Sequence, residues 1–141
     1  MTQHGQHTQR EILSQPSAWA EALKHLDADT EQLRRFYREG RYESVIFTGC
    51  GSTYYLSVAA AALFQHLGVA EARALPASEI WLYSPAAYAA KGRTLLIAVS
   101  RSGETTETLR AVEAFRARQH GDVLTLSCYG ERALAGMGAV N

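Results

Sequence analysis

The stretch TLLIAVSRSGETT (Thr94–Thr106) decides how this chain is read. Thr94–Val99 is an uninterrupted apolar run of strand length, which suits a strand covered on both faces. It passes directly into Ser100, Arg101, Ser102 and Gly103. The following segment, Glu104–Arg118, has helical apolar spacing and is closed by Gly121. A strand, a short loop of small hydroxyl residues around a glycine, and a helix make one unit of an α/β protein.

The same unit recurs on either side. Ser44–Thr48 reads as a buried strand, Ser52–Leu67 as a helix ending at Gly68, and Ala70–Leu75 as a weaker strand. Ala77–Tyr83 reads as a short helix and Ser84–Gly92 as a loop holding Pro85. Further on, Asp122–Ser127 is predicted as a strand, Glu131–Gly136 as a short helix and Gly138–Asn141 as the start of one more strand. This alternation predicts an α/β fold with a three-layer, flavodoxin-like parallel sheet of order 2-1-3-4-5. The abrupt strand at Gly138–Asn141 is expected of a fragment, or of a short edge strand.

Ahead of the sheet, residues 1–7 read as a disordered tail and 8–40 as N-terminal helices, leaving 41–141 for the sheet domain. Thr8 and Glu11 have capping-box spacing before Ile12 and Leu13. Pro16 suits the first turn of a further helix, capped by Ser14 or Gln15, with Trp19, Leu23 and Leu26 on one face. Asp29 and Thr30 are expected to start another helix. Leu33, Phe36 and Tyr37 form its stripe, and Gly40 ends it.

Composition narrows the function. The 141 residues are 47% hydrophobic and 20% charged, with formal net charge +0. That balance gives no pull toward nucleic acid and no polybasic membrane segment. The polar start MTQHGQHTQR has no signal-peptide core, and no apolar run approaches the roughly 18 residues of a membrane span. Cys50 and Cys128 lack metal-knuckle or redox spacing, so reduced thiols in a cytoplasmic protein are expected and no metal site is assigned. His4 and His7 read as part of the tail.

The chemistry lies in two loops. The stretch TGCGST (Thr48–Thr53) follows the first strand and SRSGETT (Ser100–Thr106) follows the third. A helix N-terminus leaves about four backbone N–H groups free and carries partial positive charge. Gly51 and Gly103 allow close backbone approach, while Ser52, Thr53, Ser100, Ser102 and Thr105 add hydroxyls. That is a phosphate cradle without a lysine. In order 2-1-3-4-5 the first and third strands are neighbours, so both loops line one crevice. Simple N-capping explains either loop alone but explains the pair less well. A dinucleotide fingerprint would need glycine where Tyr54 stands, and the P-loop GK[ST] occurs nowhere.

In this order, the two loops resemble the sugar isomerase (SIS) family, which binds phosphosugars. The likeness runs over roughly residues 10–130, through REILSQPSAW (10–19), FTGCGSTYY (47–55), LPASEIWLY (75–83) and AVSRSGETTETL (98–109). It is nearest to the isomerase half of the family's aminotransferases. The resemblance implies a hexose phosphate such as fructose-6-phosphate or glucosamine-6-phosphate as ligand. It also implies a homodimer or higher homo-oligomer, with no cofactor, nucleic acid or membrane. Position by position, it assigns Ser52 and Thr53, then Ser100, Arg101, Ser102 and Thr105, to the sugar phosphate. Arg101 replaces the family's usual glutamine and either pairs with phosphate or points to solvent. Glu104 is expected to favour the dipole in a helix's first turn, and Glu79 to pack the short helix.

Some features depart from the family. Its glutaminase-bearing members carry a cysteine after the initiator Met, where Thr2 stands here, so no glutamine hydrolysis is expected. The resemblance places their catalytic Glu, His and Lys in a second half or on a neighbouring subunit, so no catalytic residue is assigned here. His25, His66 and His120 read as surface residues. Two readings remain: the phosphosugar-binding domain of an isomerase, aminotransferase or deaminase, or a non-catalytic phosphosugar-sensing module.

Overall fold

The structure is a computed structural model that describes residues 5–68, 70–83, 87, 92–118 and 121–140. The chain divides into two compact units, one up to Phe36 and one from Tyr37 onward.

In the first unit the expected separate helices are a single one. Helix α1 runs from Gln6 to Gly40 with Pro16 inside it. The hydroxyls that read as caps have turned inward on the helix. Ser14 donates to the Glu11 carbonyl at 3.0 Å and Thr30 to the Leu26 carbonyl at 2.8 Å. Ser and Thr serve equally as caps or as back-bonding residues in a helix interior, which is why their sequence reading broke one helix into several. Gln6 and His7 belong to α1, so the expected disordered tail shrinks. Trp19, Leu23 and Leu26 are exposed.

The second unit is a parallel sheet flanked by helices. Its strands are β1 (Ser44–Gly49), β2 (Glu71–Pro76), β3 (Thr94–Ser100) and β4 (Gly121–Ser127), in the order β2-β1-β3-β4. Ser44 aligns with both Glu71 and Thr94, and Thr94 with Gly121. Helices α2 (Ser52–His66), α3 (Ala77–Leu82) and α4 (Thr106–Ala117) follow β1, β2 and β3. Strand side chains alternate between faces. Ile46, Leu96 and Ala98 pack with Ala77 and Ile80 of α3 and with Ala111, Val112 and Phe115 of α4. On the other face the Phe47 ring meets Phe64 of α2 edge-on at 5.8 Å. Burial on both faces is the physical reason β1 and β3 are continuous apolar runs.

The end of the chain differs from expectation. The short helix expected over Glu131–Gly136 is a 3-10 helix at Ala135–Met137. The Leu134 amide bonds to the Gly103 carbonyl at 3.0 Å, while Ala135 and Met137 close three-residue bonds to Arg132 and Leu134. That external partner leaves no α-helical ladder to propagate. Of the fifth strand, the described residues show a single parallel bridge, Val140 to Leu124. The expectations for Pro85, His120, Asn141 and residues 1–4 lie outside the described residues.

At the sheet's amino-terminal edge, the Tyr42 hydroxyl donates to Asp122 Oδ2 at 2.7 Å and Arg93 Nη2 donates to the same oxygen at 2.5 Å. Burial, then the Asp122 carboxylate, pushes the Tyr42 phenol well above its usual range. This cluster ties together the chain just before β1, the chain just before β3 and the start of β4.

Candidate phosphate-binding site

Parallel strands send their carboxyl ends to one edge, and adjacency of β1 and β3 brings their loops together there. After β1, Gly51 takes φ +59 at the N-cap position of α2, a conformation costly for any residue with a Cβ. Thr53 fastens the loop to itself: its hydroxyl accepts the Cys50 amide and donates to the Cys50 carbonyl, both at 3.0 Å. After β3, Gly103 takes φ +67, and its amide reaches Ser100 Oγ at 3.2 Å. Ser100 is buried and shares a 3.0 Å bond with the Thr105 hydroxyl. Ser102 Oγ accepts the Glu104 amide at 3.2 Å, which leaves its own proton free to be donated.

The two loops line one cleft of about 440 Å³. Ser52 and Thr53 line it from the first loop, and Arg101, Ser102 and Thr105 from the second. Gly51, Ser100 and Gly103 are not among the lining residues; they shape the loops from behind. Cys50 and Tyr129 complete the wall, and sequence reasoning assigned neither to the site. The signal for Tyr129 was available: it follows β4, whose carboxyl end faces the same edge.

The electrostatics suit an anion. Among the described residues, no carboxylate lines the cleft. Arg101 has no carboxylate partner among the described residues. The nearby Arg132, by contrast, is neutralised by Glu104 at 2.9 Å and Glu131 at 3.7 Å. Glu104 was expected in the first turn of a helix. It precedes α4, which begins at Thr106, and serves as the counter-ion of Arg132. Glu79 was expected to pack α3; it is exposed and lines a separate cleft with Pro76 and Tyr83. His25 and His66 are exposed, as expected.

Comparison with known proteins bears on this arrangement. A profile of the SIS domain matches residues 41–139. Glutamine–fructose-6-phosphate aminotransferase (isomerizing) from Methanothermobacter thermautotrophicus is 37% identical over 109 residues, covering 77% of this chain and 18% of that protein. The Helicobacter pylori enzyme of the same name is 32% identical over 118 residues, 78% of this chain and 18% of its own. The chain thus spans about a fifth of the length of the curated relatives it matches. Among solved structures, tagatose-6-phosphate ketose/aldose isomerase from Escherichia coli matches with TM-score 0.82 and 28% identity, over 94% of this chain and 37% of that one. The domain match takes in both loops, all four strands and the cleft between them, and the chain belongs to the SIS domain family.

Proposed function

We propose that this chain binds the phosphate of a hexose 6-phosphate in the cleft between the β1–α2 and β3–α4 loops. It serves as the phosphosugar-binding domain of a sugar-phosphate isomerase, aminotransferase or deaminase. The observation that carries this reading is the convergence of two hydroxyl-bearing loops on one cleft that, among the described residues, holds an arginine without a carboxylate partner and no acid. Ser102 and Arg101 are the principal phosphate ligands, one as a hydroxyl donor and the other as a charge-assisted donor. Ser52 and Thr105 add to them. Thr53 turns its proton on the Cys50 carbonyl and chiefly shapes the loop. Fructose-6-phosphate and glucosamine-6-phosphate fit the names of the relatives, and a homo-oligomer and a cytoplasmic setting belong to the same reading. No described helix is long and apolar enough to cross a membrane.

The test is a thermal-shift titration with fructose-6-phosphate, glucosamine-6-phosphate, galactosamine-6-phosphate and inorganic phosphate, repeated on Ser102→Ala. Ligand at a hundred times Kd stabilises the native state by about 2.7 kcal/mol. The expected result is a rise in Tm with the sugar phosphates that Ser102→Ala largely abolishes. No rise with any of these ligands, or an equal rise in the variant, would sink the reading.

A further inference from the structure

Two of the hydroxyls that line the cleft are already committed to the protein. Thr53 is bonded twice to Cys50, and Thr105 shares its bond with Ser100. Tyr129 differs. It lines the cleft from the end of β4, and its hydroxyl has no hydrogen-bond partner among the described residues.

Tyr129 is nevertheless held firmly. Its carbonyl accepts the Ser127 hydroxyl at 3.0 Å and the Arg132 amide at 3.5 Å. The preceding residue, Cys128, donates its amide to the Arg101 carbonyl of the second loop at 3.3 Å. The Arg132 guanidinium lies over the phenol ring at 5.8 Å from its centroid, and Glu104 anchors that guanidinium from the second loop. A ring fixed on both its backbone and one face loses little freedom when its free end meets a ligand.

Topology fixes which part of a ligand it meets. Tyr129 follows β4, which lies on the opposite side of β3 from β1. Adjacent strands are about 4.8 Å apart, so Tyr129 sits beyond a phosphate cradled between the β1 and β3 loops. What reaches it is the carbon chain attached to that phosphate.

We propose that Tyr129 is the sugar-reading residue of the cleft: its phenol hydroxyl hydrogen-bonds a hydroxyl of the hexose chain while the two loops hold the phosphate. Arg132 is the positioning residue that fixes the ring. This rests on the phosphate reading above, and it adds a specificity that the loops alone do not supply. A site that hydrogen-bonds a substrate hydroxyl discriminates against ligands lacking it.

The experiment is isothermal titration of the full chain with inorganic phosphate, fructose-6-phosphate and glucosamine-6-phosphate, using wild type, Tyr129→Phe and Ser102→Ala. Tyr129→Phe keeps the ring and its contact with Arg132, so folding is preserved; its melting curve checks this. Loss of one hydrogen bond weakens binding about three- to tenfold. The expected result is that loss for at least one hexose 6-phosphate, with the inorganic phosphate Kd unchanged within about twofold. Ser102→Ala is expected to weaken all ligands alike. If Tyr129→Phe binds both hexose phosphates as wild type does, or weakens sugar and inorganic phosphate equally, the role of Tyr129 is overturned while the phosphate site stands. If wild type binds neither phosphate nor sugar phosphate, the phosphate reading itself falls, and this proposal with it.

Discussion

Thr108 shows how a single polar atom carries energetic weight here. It is fully buried in α4, and its hydroxyl has no hydrogen-bond partner among the described residues. An unsatisfied buried hydroxyl costs about 1–3 kcal/mol, whereas an apolar group of the same shape does not. Thr108→Val is therefore expected to stabilise the chain by about 1 kcal/mol and raise Tm by about 4 °C. A lowered Tm in calorimetry would mean that the hydroxyl is satisfied in solution. At the residue scale the sequence is least informative. Thr53, Ser100 and Ser102 look alike in the sequence, yet one bonds its own loop, one is buried behind the cleft and one faces it. The choice depends on which backbone group each hydroxyl meets, and composition does not encode that.

At the scale of elements, the two ends of the strands do different work. The carboxyl ends carry the cleft, while the amino-terminal edge carries the Tyr42–Asp122–Arg93 cluster. Because the folded-state pKa of Tyr42 is raised, the folded chain holds that proton more tightly than the unfolded one. The associated stability is fully present below the unfolded value of about 10 and is lost as pH rises beyond it. Tyr42→Phe is expected to cost about 1 kcal/mol at pH 7. It is also expected to flatten the fall in stability above pH about 10. Urea unfolding from pH 7 to 11 measures both, and identical slopes for variant and wild type would remove the phenol from the account. The strands were legible because burial on both faces leaves long apolar runs, and their adjacency followed from the order of α/β units. The first helix was not legible as one piece, because Ser14 and Thr30 serve in mid-helix as readily as at a cap. Nor was the 3-10 turn, which depends on a bond from Leu134 to the distant Gly103.

At the scale of the molecule, the outer side of α2 stands out. Tyr55, Leu56, Val58 and Leu63, with Leu67 just beyond the helix, are 43–74% exposed. Contiguous apolar surface of this kind marks a contact surface or an aggregation liability. The chain is expected to self-associate at micromolar concentration, and Leu56→Lys combined with Leu63→Lys to shift it toward monomer. Sedimentation velocity decides this: a wild-type monomer at that concentration would contradict it. Tyr129 belongs to this scale as well, since only the assembled sheet brings the end of β4 beside loops that lie earlier in the chain.

The skipped neighbour in the sheet has a consequence in time. Ser44 and Thr94 pair across fifty positions of sequence, with all of β2 and its helix between them. Closing so long a segment must precede any reward from the contacts it brings. The cleft does not exist in any chain that has folded only its first strand, loop and helix. A ligand that binds only the finished cleft is therefore expected to stabilise the folded chain, chiefly by slowing its unfolding.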